Sequence, residues 1–560
     1  MTLRPMYLRA PSRWFLPVVA ILLFGTGLGR ALTGSEDRWA EIARNMLLYK
    51  DWFHPVINGE IYFDKPLLSY WLVTLAAGVT RSLDEFSVRL PCAVAGLLAL
   101  FCSYRIATQL FDRMVAWLGT WLIATCFGFL FWTHTASAEM ANLALITAAL
   151  AWFIERRERT DFGSYLVFYL LCAIGSQMKG LTAAVVPILV IVPFLLRDGL
   201  WKRHLNLAHL AAAVLGIGVF LLPYLGASLL DMPEGVRAQG DHRGAIELLI
   251  RENLVRYADP FDHKDPFYSY LYHVPRIVFP WSLLLVAALV YYVPRYARLE
   301  PNYRRLLEAI GLIFLFFSAS GSRRWYYILP IMPFCMMLLA AYLVQERGHR
   351  WQRPALLGTV AAMTVVEMGL LLLPVAARFG IRDVAVPMQF WLASAASVLG
   401  TVILVQSARV RPLVPTTLAR LNDAPVAPWL PLLVLLAALQ MTVVFGLVLP
   451  GIDAYRSEKS FALSLAKERR PEDQIVFFKS HHTTTVFYLN PTRPIPVIEN
   501  KGEIPGDAKS VILVTEKRDM KALFQAFPQL QDAVPMIAVK EHKQSLLSDK
   551  SMLVAYRLAI

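Results

Sequence analysis

Residues 35–71 read SEDRWAEIARNMLLYKDWFHPVINGEIYFDKPLLSYW, and this stretch decides how the chain is organised. It is rich in charge, yet it follows the apolar run Trp14–Leu28 and precedes many further apolar runs. Residues Arg38–Leu48 within it have the pattern of an amphipathic helix. One face of that helix can rest on a bilayer and carries Trp39, Ile42, Met46 and Leu47. We therefore interpret the stretch as a loop at a membrane surface.

The composition around this loop is that of a membrane protein. Of the 560 residues, 57% are hydrophobic and only 17% are charged, whereas soluble chains carry charge on about a quarter of their positions. The net charge of +14 has no basic soluble module to carry it, so nucleic-acid binding is excluded. Positive cytoplasmic loops and a site for an anionic lipid or phosphate explain the charge better. The five cysteines lie in apolar runs as packing residues, which argues against disulfides and a cysteine zinc site.

The apolar runs predict thirteen membrane-spanning helices, since each span needs about 20 apolar residues. The candidate spans lie near 14–31, 89–111, 114–133, 140–155, 164–178, 180–196, 206–228, 271–293, 306–320, 325–344, 355–375, 388–407 and 429–450. The short segment 66–80 is interpreted as an interfacial helix, because counting it as a span would put the Arg-rich loops outside. The N-terminus is then cytoplasmic and the C-terminus lies on the outer side.

The composition changes after Pro450, where charged residues become frequent. We divide the chain into a transmembrane domain, residues 1–450, and a small soluble α/β domain, residues 451–560, on the outer side. The α/β prediction rests on three strand-like and two helix-like runs. These are Gln474–Phe478, Ser510–Val514 and Met552–Tyr556, and Phe461–Arg469 and Met520–Phe527. The pair His481-His482 is interpreted as part of a loop.

Lys and Arg are usually concentrated in the cytoplasmic loops of membrane proteins, so the basic residues predicted in the outer loops need an explanation. They include Arg38, Lys65, Lys179, Arg256, Arg323 and Arg324. Together they predict a basic recess at the outer membrane surface, which suits a phosphate or diphosphate at headgroup level. The carboxylates Glu36, Asp37, Asp64 and Glu139 are predicted at the same level. Glu139 stands out, because its surroundings are otherwise uncharged.

The motifs of the first loop resemble those of membrane glycosyltransferases of the GT-C fold. The similarity is greatest to the lipid A aminoarabinose transferases and their protein O-mannosyltransferase relatives. The matching positions are Ser35–Ile42, Lys50–Trp52, Tyr62–Pro66, Tyr70-Trp71, Met178–Gly180, His263–Phe267, Pro280-Trp281 and Tyr327–Pro330. The chain departs from the pattern at Ser35, where the family has its leading Asp, and at Asp64, where Glu is usual. The acidic role of the missing Asp would pass to Glu36 or Asp37.

The resemblance implies an all-α polytopic membrane domain of the bacterial inner membrane, with interfacial periplasmic helices, a periplasmic active site and a periplasmic C-terminal domain. It implies transfer of 4-amino-4-deoxy-L-arabinose from undecaprenyl phosphate to a lipid A phosphate, which confers polymyxin resistance. A lipid phosphate is then the leaving group. The residues expected to bind that donor phosphate are Lys65, Arg38, Tyr62, Arg256, Lys179, Arg324 and Tyr327. We expect a monomer whose partners are the lipid-linked sugar, lipid A and membrane lipids.

The roles of the carboxylates depend on the acceptor. With a lipid A phosphate as nucleophile, Glu36, Asp37 and Glu139 could bind the amine of the donor or stabilise an oxocarbenium-like centre. A Ser or Thr hydroxyl acceptor would need one of the first-loop carboxylates as a base. A divalent metal, Zn or Mg, is a further alternative, with Asp64 and His263 as ligands.

Two other functions are considered beside the aminoarabinose transferase. One is a protein O-mannosyltransferase-like enzyme that uses another polyprenyl-phosphate sugar. The other is a lipid transporter or flippase, which should show inverted repeats and charges at the bilayer midplane. No repeat is seen, and the notable charges gather at one face of the membrane, so transport is disfavoured.

Overall fold

The computed structural model describes residues 15–234, 236, 247, 265–346, 349–376, 388–409, 429–506, 509–538 and 552–560. Most of this part of the chain is helical. The helices as far as the last predicted span are α1 Phe15–Gly25, α2 Glu36–Tyr49, α3 Leu68–Thr80, α4 Glu85–Leu110, α5 Arg113–Ala124, α6 Phe127–Thr133, α7 Glu139–Glu155, α8 Phe162–Lys179, α9 Thr182–Arg197, α10 Leu207–Leu229, α11 Tyr270–Ile277, α12 Ser282–Tyr292, α13 Pro301–Ala319, α14 Met332–Gln345, α15 Gln352–Ala376, α16 Met388–Arg409 and α17 Trp429–Val443. Each of the thirteen predicted spans contains at least one of these helices.

Two predicted spans are not continuous helices, which corrects the sequence-based prediction. The segment 114–133 is divided into α5 and α6, which are bent by 63° relative to each other. The segment 271–293 is divided at Pro280, with a bend of 119° between its two halves. Among the described residues, four helices are long and apolar enough to cross a membrane, or six when each bent pair counts as one span. The chain is a multi-pass membrane protein with several apolar helices.

The first loop folds into a compact unit between α1 and α4. Helix α2 is followed by a two-stranded antiparallel hairpin, β1 Val56–Ile57 and β2 Glu60–Ile61, and then by α3. The hairpin turns at Asn58-Gly59, both with positive φ, as a two-residue turn requires. Helix α3 forms most of the segment 66–80, which was predicted as a surface helix, and it is among the shorter apolar helices of 10–17 residues.

The apolar face of α2 does not rest on the bilayer as the sequence suggested. Trp39, Ile42 and Met46 are all buried in a protein core, and the Trp39 ring packs 5.8 Å from the ring of Tyr70 in α3. Leu47 remains exposed. The face is buried because α3 covers it, and an amphipathic pattern cannot tell a protein surface from a lipid surface.

The segment after α17 continues through α18 Leu449–Arg456 into a five-stranded mixed sheet. Its strands are β3 Asp473–Phe478, β4 Val497–Ile498, β5 Ser510–Glu516, β6 Ile537–Ala538 and β7 Leu553–Ala559, in the order β4-β3-β5-β7-β6. Three helices accompany the sheet, namely α19 Lys459–Glu468, α20 Thr483–Leu489 and α21 Met520–Ala526. All five runs that were predicted as strands or helices in this segment are confirmed as such.

Strands β3 and β5, inside this sheet, are buried on both faces. Val476 and Phe478 of β3 face one apolar core, whereas Ile475 and Phe477 face the other, as the two-residue period of a strand demands. Strand β3 is parallel to β4 and β5, and β7 is antiparallel to β5 and β6. Burial on both faces explains why the strands appear in the sequence as continuous apolar runs.

Among the described residues, several hydrogen bonds join the first loop to the C-terminal sheet segment. Arg44 Nη1 donates to the carbonyl oxygen of Pro491 at 2.7 Å. Asn58 and Ile495 exchange two hydrogen bonds, of 2.9 and 2.8 Å. The Leu32 amide donates to the Tyr488 hydroxyl at 2.9 Å, and Thr484 contacts Asp37. The segment after the last predicted span is therefore packed directly on the loop that carries the predicted site.

Candidate active site at the first loop

Glu36 is the most buried of the predicted catalytic carboxylates. Both of its oxygens are bound by Arg89, through Nε at 2.7 Å and Nη2 at 2.6 Å. The amides of Thr33 and Ala136 donate to the same carboxylate at 3.1 and 3.0 Å. Burial alone would raise the pKa of Glu36, but the Arg89 and Arg30 guanidinium groups outweigh it and hold that pKa below its usual value. Glu36 is thus a charged and fully hydrogen-bonded anchor.

Arg30 extends this ion cluster to the end of the transmembrane region. Its Nη1 binds Asp453 Oδ2 at 2.5 Å, and its Nη2 lies 3.8 Å from Glu36 Oε1. The same Nη2 donates to the carbonyl oxygen of His134 at 2.8 Å. Four buried charges, those of Arg30, Glu36, Arg89 and Asp453, therefore join α2, α4, α18 and the end of α1.

Asp37 is the neighbour of Glu36 in sequence but lies in a different environment. Its Oδ2 accepts a hydrogen bond of 2.8 Å from the Thr484 hydroxyl, in α20 of the C-terminal segment. Burial raises the pKa of Asp37 to about 6, and the nearby charge of Glu458 acts in the same direction, against the Thr484 hydrogen bond and Arg38. A carboxyl group with such a pKa changes its protonation state close to neutral pH.

Arg38, Tyr62, Asp64 and Lys65 form a connected cluster beside α2. Arg38 Nη1 donates to the Tyr62 hydroxyl at 2.7 Å and to Asp64 Oδ2 at 3.0 Å. Lys65 Nζ donates to Asp64 Oδ1 at 3.1 Å. The side chains of Arg38, Asp64 and Lys65 are 31%, 29% and 20% exposed, so the cluster is only partly buried. The structure thus brings together four residues that the sequence analysis placed in the site.

Glu139 and Lys179 form an ion pair in a second part of the predicted site. Lys179 Nζ contacts Glu139 Oε2 and lies 4.7 Å from the ring centroid of Tyr327 and 5.2 Å from that of Tyr326. A small pocket opens here. Its polar lining includes Glu139, Asn142, Lys179, Thr182, Tyr326 and Tyr327. Asn142 and Thr182 were not singled out from the sequence, because an isolated amide or hydroxyl in an apolar run carries little signal.

Arg323 and Arg324, which follow α13, make different contacts. Arg323 donates to the carbonyl oxygens of Ser318 and Asp265, which fixes the chain there. Arg324 Nη1 donates to the Tyr326 hydroxyl at 2.9 Å, beside the pocket of Lys179. Arg256 and His263, which were predicted as a phosphate ligand and a metal ligand, lie outside the described residues.

The two parts of the site border one apolar cluster. That cluster contains Ala138, which precedes Glu139, and Trp39, which follows Arg38. Tyr62 and Leu181 pack against it. The cluster of Arg38 and Lys65 and the pair of Glu139 and Lys179 therefore lie at the same end of the helical region. The recess for a lipid phosphate at this end stays a prediction.

Asp64 was predicted as a metal ligand, and its carboxylate already has two cationic neighbours. Arg38 binds one of its oxygens and Lys65 the other. A divalent cation at Asp64 would have to compete with both charges. In the part of the chain that the structure describes, no group of three or more His, Cys, Asp and Glu side chains could hold a metal ion. The metal site of Asp64 and His263 stays a prediction, since His263 lies outside the described residues.

Three groups of known proteins resemble this chain. The family model described as "Dolichyl-phosphate-mannose-protein mannosyltransferase" matches residues 64–225. An "Undecaprenyl phosphate-alpha-4-amino-4-deoxy-L-arabinose arabinosyl transferase" of Aeromonas salmonicida is 31% identical over 356 residues, covering 60% of this chain and 62% of that protein. The enzyme of the same description from Yersinia enterocolitica is 28% identical over 315 residues, covering 55% of this chain and 54% of its own length.

The crystal structure of ArnT from Cupriavidus metallidurans bound to undecaprenyl phosphate is similar over 98% of both chains. The TM-score is 0.68 and the sequence identity is 20%. The resemblance seen in the sequence is confirmed. This chain has the GT-C fold of ArnT, and it resembles the aminoarabinose transferases over a little more than half of its length. The chain spans about three fifths of the length of the curated relatives that it matches.

Proposed function

We propose that this protein transfers 4-amino-4-deoxy-L-arabinose from undecaprenyl phosphate to a phosphate group of lipid A. One observation carries the proposal: Lys65 and Arg38 are held in a partly exposed cluster beside the buried apolar cluster against which Leu181, two residues after Lys179, also packs. The ArnT structure of the same fold binds undecaprenyl phosphate, and the curated relatives are described as aminoarabinose transferases. Adding a cationic sugar to lipid A would lower the negative charge of the outer membrane and so give resistance to polymyxin.

The proposed location is the periplasmic face of the bacterial inner membrane. We propose thirteen spans, with a cytoplasmic N-terminus and residues 451–560 as a periplasmic α/β domain. The distribution of Lys and Arg in the loops supports this orientation. The packing of the C-terminal sheet segment on the first loop, through Arg44 and Asn58, supports the view that both lie on one side. We propose that the enzyme acts as a monomer.

The chemical step breaks the bond between the anomeric carbon of the sugar and the phosphate oxygen of the donor. An oxygen of the lipid A phosphate forms the new bond to that carbon, and undecaprenyl phosphate leaves with the electron pair. The leaving phosphate gains negative charge, which Lys65 and Arg38 stabilise from fixed positions. Tyr62 supports this task by binding the Arg38 guanidinium. Lys179, Arg324 and Tyr327 bind the donor from the other side of the recess.

The carboxylates have different roles in this mechanism. Glu36 is bound by Arg89 and two backbone amides, so we assign it to holding the loop in place. Asp37 and Glu139 are then the acidic groups that can face the sugar. A phosphate acceptor is already an anion, so it needs no strong base. Asp37 and Glu139 would stabilise the positive charge that develops on the sugar ring or bind its amine.

A second candidate is a protein O-mannosyltransferase-like enzyme that uses another polyprenyl-phosphate sugar. The family model that matches residues 64–225 favours it. Its acceptor would be a Ser or Thr hydroxyl, whose proton must be removed. Asp37 would then be the general base, since its pKa of about 6 suits proton transfer near neutral pH.

The two candidates are separated by an assay with the purified full-length protein. Undecaprenyl phosphate-aminoarabinose is incubated with lipid A or with a peptide rich in Ser and Thr, and the products are resolved by mass. We expect the aminopentose on lipid A and an unchanged peptide. A glycosylated peptide with unmodified lipid A would favour the second candidate, and transfer from a mannosyl donor alone would establish it.

A further inference from the structure

The contact between Asp37 and Thr484 joins two parts of the chain that are 447 residues apart. Asp37 lies in the first turn of α2, in the loop that carries the proposed site. Thr484 lies in α20, in the C-terminal sheet segment. The Thr484 hydroxyl donates to Asp37 Oδ2 at 2.8 Å, and Thr484 is buried. A hydroxyl that donates to a carboxylate both orients the carboxylate and stabilises its charged form.

Hydrogen bonds of neighbouring residues fix the part of α20 around Thr484. The next residue, Thr485, donates from its amide and its hydroxyl to Glu458 Oε2, at 3.1 and 2.7 Å. His482 Nδ1 lies 3.5 Å from the other oxygen of Glu458. At the far end of α20, the Tyr488 hydroxyl accepts from the Leu32 amide and donates to Glu85. Helix α20 is therefore attached to the first loop independently of Thr484.

Further titratable groups from α2, the first loop and the C-terminal segment lie near Asp37. Arg38 is its neighbour in α2, and Tyr62 belongs to the first loop. Glu458 raises the pKa of Asp37 from the C-terminal segment, where it is paired with His482. Burial is the largest cause of the raised pKa, and the Thr484 hydrogen bond opposes it. Without that hydrogen bond, the Asp37 carboxylate would lose a donor that stabilises its charged form.

We infer that Thr484 is a positioning residue for Asp37, so that the segment after the last span supplies part of the proposed active site. This inference rests on the proposed function where it concerns catalysis. It does not rest on that function where it concerns the coupling between the two residues. The C-terminal segment then does more than cover the first loop, because it sets the orientation and charge of a carboxylate facing the sugar.

The coupling is tested by thermal unfolding of the purified full-length protein between pH 5 and pH 8. We expect Thr484→Val to melt close to the wild type at pH 5 and increasingly below it towards pH 8, because the hydrogen bond matters most when Asp37 is charged. Thr484→Ser keeps the hydroxyl and should melt as the wild type does. In an Asp37→Asn background, Thr484→Val should lower the melting temperature equally at every pH. A pH-independent loss with Asp37 present would overturn the inference.

The same variants are then assayed for sugar transfer. We expect Thr484→Val to lower the transfer rate at pH 7.5 by about tenfold, the loss expected for one hydrogen bond to a charged group, and Thr484→Ser to restore it. Wild-type transfer rates in folded Thr484→Val would contradict the catalytic part of the inference. Absence of transfer by the wild-type protein would count against the proposed function instead, and the unfolding experiment would still decide the coupling.

Discussion

Arg89 binds both carboxylate oxygens of Glu36 inside the protein, through Nε at 2.7 Å and Nη2 at 2.6 Å. The same arginine donates to the carbonyl oxygens of Leu28, Arg30 and Ala31, so it also fixes the segment that follows α1. Bidentate pairs of this kind have strict geometry. The first loop is therefore held by Glu36, which directly precedes Asp37, the carboxylate that we propose faces the sugar.

Replacing Glu36 should destabilise the protein more than it changes the chemistry. Glu36→Ala leaves the buried Arg89 without its carboxylate, which costs about 3–5 kcal/mol. We expect a marked drop in the melting temperature of the purified protein. Asp37→Ala is the matched control, and it should melt no lower than the wild type at pH 7.5. A normal melting temperature for Glu36→Ala together with lost transfer would assign Glu36 a catalytic role.

Lys65 is the residue on which transfer should depend most strongly. Lys65→Ala removes the ammonium group beside Asp64 that we assign to the leaving phosphate, so transfer should be abolished while insertion and folding persist. Lys521→Ala, at an exposed position in α21, is the control for the loss of one positive charge. The measurement is the rate of sugar transfer by equal amounts of folded protein. Near-normal transfer by Lys65→Ala would be incompatible with the proposed site.

The pair of Glu139 and Lys179 is tested by comparing single and double variants. Lys179→Met removes the ammonium group from a buried carboxylate and should lower the melting temperature. Lys179→Met combined with Glu139→Leu should recover most of that stability but not the transfer rate, because both groups line the pocket. Recovery of both stability and transfer in the double variant would show that the pair is structural.

Metal chelation should leave the transfer rate nearly unchanged. Asp64 is bound by Arg38 and Lys65, and a cation there would meet two like charges. Prolonged dialysis against EDTA, followed by assay with and without added Zn²⁺ or Mg²⁺, measures the requirement. Activity that is lost on dialysis and restored by one of these ions would establish a metal site, with Asp64 and His263 as the first residues to test.

Much of the fold could be predicted from local sequence patterns. The thirteen apolar runs all contain helices, and the strand-like runs after Pro450 form the sheet. The bends near Thr125 and Pro280 could not be predicted, because mean hydropathy does not register the direction of a helix. The burial of Trp39 and Ile42 was also missed, since an amphipathic pattern does not show whether protein or lipid covers the apolar face.

The candidate site could be predicted as a set of residues but not as a set of roles. Misplaced basic charges pointed to Lys65 and Lys179, which lie at the edges of one apolar cluster. Glu36 and Asp37 looked equivalent in sequence, and they differ because Arg89 binds one and Thr484 contacts the other from elsewhere in the chain. Contacts between residues so far apart in sequence produce no periodicity or motif from which they could be predicted.

The mass of lipid A tests the proposed transfer most directly. The protein is produced in cells that make undecaprenyl phosphate-aminoarabinose but lack their own transferase, with Lys65→Ala as the inactive control. We expect lipid A heavier by one aminopentose for each modified phosphate, and no change in the control. Lipid A of unchanged mass, with the folded protein present in the membrane, would contradict the proposal.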